Sequence, residues 1–550
     1  MKLMSLMKNK LTLAWGLLLI SVGAVYGLFL WSPVLFDDLY FFDGTVHEEY
    51  LSISNVLSLR WLPYASFEWT RELFGLNLLW FRLGNLAIHL ANLLLFFVFL
   101  KALFKRVLRG SEPAPSAQVL ALCATALWAL HPASVYAVAY LTQRSTLMAT
   151  LFVLAMLLMG LRALDSGRLR DWASSIACYA LATLSKELAV MAPMLVMALA
   201  VLLRRDSAHL PWRRGWLVVS GYLLVTAFVT WAKLHQEVNL IGAAYQLNGS
   251  ELLSRYAEAN PDFDVSLAYP LSVLTQASLF FKYLLIWLFP SASWMSVDMY
   301  EPLATSLRAW PYLLGLAAFM AWGFAGLGLL WRGGRVGLAG FGLLCPWLMF
   351  FTEFSTVRVA EPFVIYRSYL WMFGLGATFP WLTQKLSDKT CSVIAGTLAM
   401  LMVPTTMLRL QTFSNEFLLW DDAVRLVETR PEMPGIDRVY ANRGNTEARL
   451  GLASAALKDY DKAISIYPGH ANVHSDRGAA LLMLRQYDSA LTAFQKAIEL
   501  QPDLRLARIG AAQVFEKKGD SQAAIREYKI ACTLGSAMAC KKLAPQQQGG

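Results

Sequence analysis

The sequence predicts an all-α protein in two parts, a polytopic bundle of membrane helices followed by a C-terminal α-solenoid. Hydrophobic residues make up 57% of the 550 residues, and the mean hydropathy is +0.45, as is typical of integral membrane proteins. Apolar segments of about 20 residues, the length that crosses a hydrocarbon core, recur up to residue 410. Beyond that point the chain is polar, rich in alanine and periodic, which is typical of helical repeats.

Eleven apolar segments are predicted to cross the membrane. They lie at residues 11–31, 79–104, 117–137, 146–163, 172–185, 187–203, 215–233, 309–331, 336–354, 366–384 and 391–410. A further apolar segment, 271–289, has Lys282 in its middle. Because a charge at full membrane depth is costly, we predict that this segment is re-entrant or interfacial.

The distribution of Lys and Arg predicts the orientation of these helices. Basic residues are grouped at the N-terminus and in 101–109, 162–170, 204–214, 332–335 and 385–389, all on one side of the predicted bundle. Short cytoplasmic loops carry such an excess. The N-terminus is therefore expected in the cytoplasm, and an odd number of crossings places everything after residue 410 outside. The compact loops favour a bacterial inner membrane, with the C-terminal part in the periplasm.

The C-terminal part repeats itself at a shift of 34 residues. The aligned positions are Gly444/Gly478/Ala512, Gly451/Arg485/Gly519, Ala456/Ala490/Ala524, Tyr460/Phe494/Tyr528, Ala463/Ala497/Ala531 and Pro468/Pro502. This pattern predicts tetratricopeptide repeats, in which small residues let paired helices approach and proline ends the second helix. The predicted domains are a membrane domain (1–410), a connecting partial repeat (411–437), the repeats (438–540) and a tail (541–550). The concave face of such an array usually holds a peptide or another protein.

The cysteines suggest no metal site. Cys123, Cys178, Cys345 and Cys391 lie in or beside apolar helices and are expected to be packing residues. Cys532 and Cys540 close the last repeat, and a bridge between them stays open at this stage, because it depends on an oxidising compartment. The acidic segment 237–264 fits no motif.

Candidate catalytic carboxylates lie in the first predicted external loop, residues 32–78. Asp37 and Asp38 sit between Phe36 and the apolar run 39–41. Partial desolvation would raise the pKa of such a carboxyl, whereas a metal or an arginine would hold it ionised. Either state is compatible with a general base, and a solvated loop without chemistry is the alternative.

Basic and polar side chains recur at the same predicted face. Arg82, Asn85, His89 and Asn92 follow helical spacing on the second crossing, which places them on one face, where interhelical hydrogen bonds are the structural alternative. The external segments also contain Arg60, His131, Arg144, Lys186, Glu187, Arg358, Glu361 and Arg367. Cations at external loop ends would suit a lipid-linked phosphate, unless neighbouring carboxylates such as Glu187 neutralise them.

Several stretches, taken in their order along the chain, resemble the GT-C glycosyltransferases, and within them the transmembrane-and-tetratricopeptide O-mannosyltransferases and their bacterial relatives. The stretches are FDD (36–38), RWLP (60–63), NLAIHLANLLL (85–95), ALHPASVYAVAYLTQRSTLMA (129–149), LSKELAV (184–190), WMSVDMYEP (294–302) and the C-terminal repeats. Ser145 and Thr146 stand where the family often has an acidic residue. This departure puts in doubt a role of the second external loop in metal or acceptor binding.

The resemblance implies transfer of a sugar from a polyprenyl-phosphate-linked donor to Ser or Thr hydroxyls of an exported protein, such as a pilin. One of Asp37 and Asp38 would be the general base, and the other would orient it or help to hold a divalent metal, Mg²⁺ or Mn²⁺. The implied phosphate-binding residues are Arg144, Lys186, Arg358 and Arg367. The implied supporting residues are Arg60, His89, His131, Glu187 and Asp298.

Two alternatives stay open on the sequence. The same fold could glycosylate a lipid or polysaccharide acceptor, although such an acceptor needs no peptide-binding array. A membrane-anchored assembly scaffold without chemistry would explain the repeats and leave the intramembrane polar groups structural. A transporter is disfavoured because the two halves contain no matching pair of broken helices. The expected partners are membrane lipid, the lipid-linked sugar and a protein acceptor, with no nucleic acid.

Overall fold

The computed structural model describes residues 2–38, 42, 60–109, 115–204, 212–236, 249–430 and 432–543. In these ranges the regular elements are helical, apart from one isolated antiparallel bridge between Met299 and Phe363. The chain divides into two compact units. The first contains Met1–Leu253 and Asn260–Asn415, and the second contains Ser254–Ala259 and Glu416–Gly550.

The helices of the first unit are numbered in chain order up to residue 412. They are α1 (Lys2–Gly27), α2 (Trp61–Phe74), α3 (Leu78–Val107), α4 (Ala117–Ala129), α5 (Pro132–Val138), α6 (Arg144–Ser166), α7 (Leu169–Ser185), α8 (Pro193–Leu202), α9 (Trp212–Gln236), α10 (Gly249–Ala259, whose last six residues belong to the second unit), α11 (Ala268–Leu288), α12 (Trp310–Arg332), α13 (Gly334–Phe350), α14 (Tyr369–Met372), α15 (Phe379–Leu382) and α16 (Asp388–Thr412). Several of them begin at a side-chain cap, as α16 does where Ser387 accepts a hydrogen bond from the Thr390 amide.

Seven of the described helical segments are long and apolar enough to cross a membrane, and α4 with α5 would make an eighth if that pair, bent by 67°, is one span. The pair is bent at His131 and Pro132, where proline removes a backbone donor. The apolar parts of α1 and of Glu187–Leu202 are shorter. The structure therefore supports several of the predicted crossings, and their number, eleven, stays a prediction.

The segment 271–289 is helical. It forms α11, a helix of 21 residues that is among the seven long apolar segments. Lys282, the residue that argued against a crossing, forms an ion pair with Glu301 and lies 4.9 Å from the ring centre of Phe363. Because a paired charge costs less free energy to bury than an isolated one, this helix is compatible with a crossing, and its re-entrant or interfacial position stays a prediction.

The predicted crossing 366–384 is not one continuous α-helix, and its position in the membrane stays a prediction. Between Ile365 and Leu382 the chain alternates 3₁₀ turns with the short helices α14 and α15. Glycines allow close packing here. A Cβ on Gly374 would lie 2.0 Å from Cys345 Cβ, and one on Gly376 would lie 2.6 Å from Phe96. Packing against α13 and α3 therefore decides the backbone of this segment, and its apolar composition does not reveal that.

The polar face predicted on the second crossing is confirmed. Arg82, Asn85, His89 and Asn92 all lie on α3, and each is at most 1% exposed. Arg82 donates to the carbonyl oxygens of Ser32, Pro33 and Ala139. Asn85 donates to those of Val138 and Leu141, and Asn92 to that of Leu147. The face therefore holds backbone of neighbouring helices and loops against α3, which is a structural role.

The second unit consists of paired helices. They are α17 (Glu416–Glu428), α18 (Asp437–Arg449), α19 (Ala453–Ile466), α20 (Ala471–Met483), α21 (Tyr487–Leu500), α22 (Arg505–Lys518), α23 (Ser521–Thr533) and α24 (Ala537–Leu543). The predicted small positions lie between helices: a Cβ on Gly444 would come within 2.8 Å of the Tyr460 ring, and one on Gly478 within 2.9 Å of the Phe494 ring. Cys532 and Cys540 form a disulfide, which answers the question left open by the sequence.

Two boundaries differ from a simple division of the sequence. The second unit begins at Glu416, inside the predicted connecting segment 411–437. It also includes Ser254–Ala259, which no sequence pattern predicted. In addition, the predicted first external loop, 32–78, contains a helix, α2, of 14 residues.

Candidate functional site

Lys186 is a buried cation between α7 and the 3₁₀ turn Glu187–Met191, and only 4% of it is exposed. Its ammonium donates hydrogen bonds to Gln143 Oε1 (2.8 Å) and Thr146 Oγ1 (2.7 Å), and lies 4.9 Å from the ring centre of Tyr366. Among the residues that the structure describes, no carboxylate forms an ion pair with it. Because buried charges are normally paired, the surroundings of Lys186 favour an anionic ligand.

The electrostatics around Lys186 also favour an anionic ligand. Burial, together with the neighbouring guanidinium of Arg60, lowers the pKa of the Lys186 ammonium well below its ordinary value, although Glu187 opposes this shift. An anion close to the ammonium would favour its charged form and so reverse the shift. The site is thus arranged so that binding of a negative group relieves an existing electrostatic cost.

The Lys186 cluster is the group of charged residues around this lysine. It consists of Arg60, Lys186, Glu187, Glu353, Arg358, Glu361 and Arg367. They come from segments that lie far apart in the sequence, and the structure brings them together. Four cations face three carboxylates in this set, so the cluster carries excess positive charge.

Glu353 is the buried centre of one half of the cluster. Its side chain is fully buried, and its Oε2 lies 2.9 Å from Arg367 and 3.4 Å from Arg358. Arg367 also donates to Glu361 Oε2 at 3.2 Å. Both arginines are about 6% exposed. One carboxylate therefore holds two guanidinium groups close to each other beneath the surface.

Arg60 and Glu187 form the exposed side of the cluster. The two side chains make a bidentate ion pair and are 32% and 20% exposed. Arg60 adopts a left-handed backbone conformation, φ 63°, just before α2, which is uncommon for a residue other than glycine. The pair neutralises Glu187, which the sequence offered as the partner of Lys186, and leaves Lys186 without that carboxylate.

Asp38 is buried and orients the turn that precedes α6. Its Oδ2 accepts from the Leu141 amide (3.0 Å) and its Oδ1 from the Thr142 amide (2.9 Å). Gln143, the next residue in that turn, accepts from Lys186. Asp38 is therefore linked to the Lys186 cluster through three consecutive residues, and its carboxylate is fixed in place.

Arg144 lies apart from the cluster in a structural position. Its guanidinium donates to Asn85 Oδ1 (2.8 Å), the Phe81 carbonyl (2.7 Å) and Ser66 Oγ (3.2 Å), and it stacks 3.9 Å from the centre of the Phe67 ring. These bonds tie α6 to α2 and α3. A phosphate would have to displace them, so the phosphate-binding role expected of Arg144 stays a prediction that this geometry does not favour.

The predicted supporting residues His89, His131 and Asp298 are all buried. His89 Nδ1 lies 2.7 Å from the Tyr369 hydroxyl. His131 Nδ1 accepts from the Ala133 amide, so its Nε2 carries the proton and donates to the Trp287 carbonyl. Asp298 precedes the bridge residue Met299. Both histidines hold helix ends or neighbouring helices together, which fits a supporting role.

The metal prediction rests on Asp37 and Asp38. The side chain of Asp37 and residues 39–41 lie outside the described residues. Asp38 receives backbone N–H donors, and no group of three or more His, Cys, Asp or Glu side chains in the described ranges is arranged to hold a metal. The described surroundings of Asp38 thus offer hydrogen-bond donors, whereas a hard cation needs oxygen ligands. The proposed reaction therefore uses no metal.

An apolar cavity of about 510 Å³ lies in the first unit, and no residue of the Lys186 cluster lines it. Its lining comes from α3, α4, α16, the end of α11 and residues 372–382, and includes His131 and Trp287. Trp287 Nε1 donates to Ser368 Oγ (2.9 Å), and Ser368 directly follows Arg367.

The repeat unit has a polar cluster of its own between α18, α19 and α20. Tyr460 donates its hydroxyl to Asn445 Oδ1 at 2.7 Å. Burial raises the pKa of Asp476 to about 6, against the effect of a hydrogen bond from Asn445. Such side chains are suited to hydrogen bonds with a polypeptide.

Sequence reasoning missed three members of the site: Glu353, Gln143 and Tyr366. Glu353 stands in the apolar context FFTEF at the end of a predicted crossing. A carboxylate at such a depth is rare unless it is paired, and that rarity was the available signal. Gln143 and Tyr366 directly precede Arg144 and Arg367, but polar neighbours of a cation are too common to single out.

The repeat architecture of the second unit agrees with known proteins. Residues 437–470 and 471–504 each match the tetratricopeptide repeat family. The chain is similar to MamA, whose crystal structure aligns with a TM-score of 0.21 and 20% sequence identity. The aligned part covers 27% of this chain and 88% of MamA. The crystal structure of YrrB, described as a TPR protein with an unusual peptide-binding site, is 13% identical, with a TM-score of 0.23, covering 30% of this chain and 89% of YrrB. No curated protein matches the chain significantly, and none of these matches concerns a glycosyltransferase.

Proposed function

We propose that the protein is a membrane glycosyltransferase that transfers a sugar from a polyprenyl-phosphate-linked donor to Ser or Thr hydroxyls of an exported protein. The observation that carries this proposal is the buried ammonium of Lys186, which has no carboxylate ion-pair partner among the described residues and lies in one charged cluster with two buried arginines. A lipid-linked phosphate would supply an anion for these cations, and its hydrocarbon chain would suit an apolar cavity such as the one in the same unit.

The proposed reaction needs one base and several cations. A carboxylate of Asp37 or Asp38 takes the proton of the acceptor hydroxyl as its oxygen attacks the anomeric carbon. The bond between that carbon and the phosphate oxygen breaks, and its electron pair stays on the phosphate. Cations lower the energy of the charge that develops there, so no proton donor is required. Attack opposite to the leaving group inverts the anomeric centre.

The chain's own residues would divide these tasks. Lys186, Arg358 and Arg367 would hold the phosphate, and Arg60 with Glu187 would form the entrance. Asp38, fixed by the amides of Leu141 and Thr142, is suited to orient the base or to act as the base itself. The repeats, whose family typically binds proteins or peptides, would present the acceptor.

The proposed location is a bacterial inner membrane, with the catalytic face and the repeats in the periplasm. The distribution of basic residues supports this orientation. The disulfide between Cys532 and Cys540 supports an oxidising compartment for the second unit.

Intact-mass measurement of exported proteins tests the proposal. Cells would carry the wild-type chain, no gene, Asp37→Ala, Asp38→Asn, or the control Glu72→Ala, which changes an exposed carboxylate near the end of α2. We expect one or more proteins to lose the mass of a sugar in the deletion strain and in at least one Asp variant, with the control like wild type. Membrane abundance of each variant is measured in parallel.

The competing function is an assembly scaffold, which the repeats favour because arrays of this family commonly bind proteins without catalysis. It predicts unchanged masses in both Asp variants inserted at normal abundance, and that result would overturn the transferase proposal. A lipid or polysaccharide acceptor would instead appear as a mass loss in the lipid or polysaccharide fraction.

A further inference from the structure

Asp437 is a buried carboxylate at the start of α18, and its partner comes from a distant part of the chain. Only 1% of it is exposed, and its Oδ1 accepts from the Gly435 amide at 3.1 Å. The same oxygen forms an ion pair with Arg255, which lies 182 residues away in sequence and belongs to the segment Ser254–Ala259. A buried carboxylate without such a partner would be strongly destabilising.

Two further side chains complete the surroundings of the Arg255 guanidinium. Its central carbon lies 3.6 Å from the centre of the Tyr467 ring, within the range of a cation–π interaction. His470 Nδ1 accepts from the Val473 amide, so its Nε2 carries the proton, and this nitrogen lies 4.0 Å from Asp437 Oδ2. Arg255 is only 11% exposed as a result.

These residues are not part of the repeat pattern. At a shift of 34 residues, Asp437, Tyr467 and His470 are replaced by Ala471, Gln501 and Leu504 in the next repeat. The following repeat has Arg505, Gly535 and Met538. Stacking of the repeats therefore does not require Asp, Tyr or His at these three positions. Their combination in the first repeat needs a separate reason.

We propose that the first repeat contains a binding site for an arginine side chain, formed by Asp437, Tyr467 and His470 and called here the Asp437 site. Arg255 occupies this site in the resting chain, and an arginine of another polypeptide binds there when Arg255 leaves. This gives the repeats a specific peptide-recognition element that is regulated by a segment of the same chain. It does not depend on the transferase chemistry.

The resting occupant has the properties of an exchangeable ligand. The helix that carries Arg255 has eleven residues, and only six of them belong to the repeat unit. Helices of this length are marginally stable on their own, and the segment Ser254–Ala259 is held by the charged, stacked side chain of Arg255 together with its buried neighbour Tyr256. A competing peptide needs to reproduce only that side chain and its immediate neighbours.

The test measures binding of a fluorescently labelled peptide with the sequence of residues 249–259 to the full-length chain in detergent micelles. The wild-type chain, whose site is filled, is expected to bind the peptide weakly. Arg255→Ala should bind it at least about tenfold more tightly, since the intramolecular competitor is removed. Adding Asp437→Asn should abolish the gain, and a peptide with alanine in place of arginine should not bind. Arg477→Ala is the matched control. It breaks the ion pair between Arg477 of the second repeat and Asp461 of the first, and it should resemble wild type.

A second measurement covers the case in which Arg255→Ala does not fold. Hydrogen exchange of residues 250–259 is followed in the wild-type chain with and without a large excess of the unlabelled peptide. Faster exchange with the peptide is expected, because the peptide displaces the chain's own segment. Unchanged exchange in wild type, or equal peptide affinity of folded wild-type and Arg255→Ala chains, would overturn the proposal.

Discussion

Replacing Lys186 by methionine is expected to lower sugar transfer by about 100- to 1,000-fold, the usual effect of removing one group that stabilises developing charge. The same change should leave stability unchanged or raise it, because burying an unpaired ammonium is costly and methionine has no charge to desolvate. Gln143 and Thr146 keep the hydrogen bond that joins them at 2.9 Å. Transfer is measured by intact mass, and stability by denaturant unfolding in micelles.

Lys282→Met is the matched control for this prediction. Lys282 has a carboxylate partner, Glu301, which the substitution would leave unpaired, so this variant should lose stability and keep its transfer rate in the folded fraction. The two lysine variants should therefore differ in opposite ways: Lys186→Met loses transfer and keeps its stability, and Lys282→Met loses stability and keeps transfer. This difference distinguishes a ligand-binding cation from a structural one. A Lys186→Met variant that is less stable and fully active would show that the ammonium serves the fold.

The pH dependence of the site follows from the same lysine. Phosphate binding requires the ammonium form, and the pKa of Lys186 in the free protein is well below its ordinary value. Affinity for a lipid phosphate should therefore fall as the pH rises through that lowered pKa, before an ordinary lysine would titrate. Lys186→Met should remove this component of the pH dependence.

Glu353→Gln is expected to have the largest effect on stability, a loss of about 3–5 kcal/mol. The substitution keeps the shape of the side chain and removes its charge. Arg358 would then lose its carboxylate partner at Oε2, while Arg367 would keep only Glu361. The free energy of unfolding in micelles measures the loss.

Glu361→Gln provides the comparison for this variant. Glu361 pairs with the same Arg367 but is 30% exposed, and exposed ion pairs contribute no more than about 1 kcal/mol. Equal losses for the two variants would show that burial does not set the strength of this network. A stable Glu353→Gln variant would show that solvent or lipid compensates the two arginines.

The repeats could be predicted in detail because their pattern is local. Gly478, Phe494 and Ala490 recur at a fixed shift, and each position has a defined packing task that depends on its neighbours in sequence. The face formed by Arg82, Asn85, His89 and Asn92 followed from helical spacing in the same way. Helix parity predicted that the loops carrying Arg60, Lys186, Arg358 and Arg367 lie on one side, and the structure brings these four cations together, whereas Arg144, predicted with them, lies apart.

Tertiary contacts explain what could not be predicted. Residues 366–384 are as apolar as a crossing helix, and only the close approach of Cys345 to Gly374 reveals their irregular backbone. Lys282 was an argument against a crossing until its ion pair with Glu301 was known. Likewise, Arg255 lies in an acidic segment without a motif, and its role depends on Asp437, far along the chain.

The most direct test of the account is the binding of undecaprenyl phosphate to the purified chain, measured by native mass spectrometry from detergent micelles. This measurement asks whether the Lys186 cluster holds a lipid-linked phosphate, independently of any acceptor or sugar. The account predicts that wild type and Lys282→Met retain the lipid, and that folded Lys186→Met loses it by at least about tenfold in affinity. Equal retention by folded Lys186→Met and wild type would contradict the central claim that this buried cation binds the phosphate of a lipid donor.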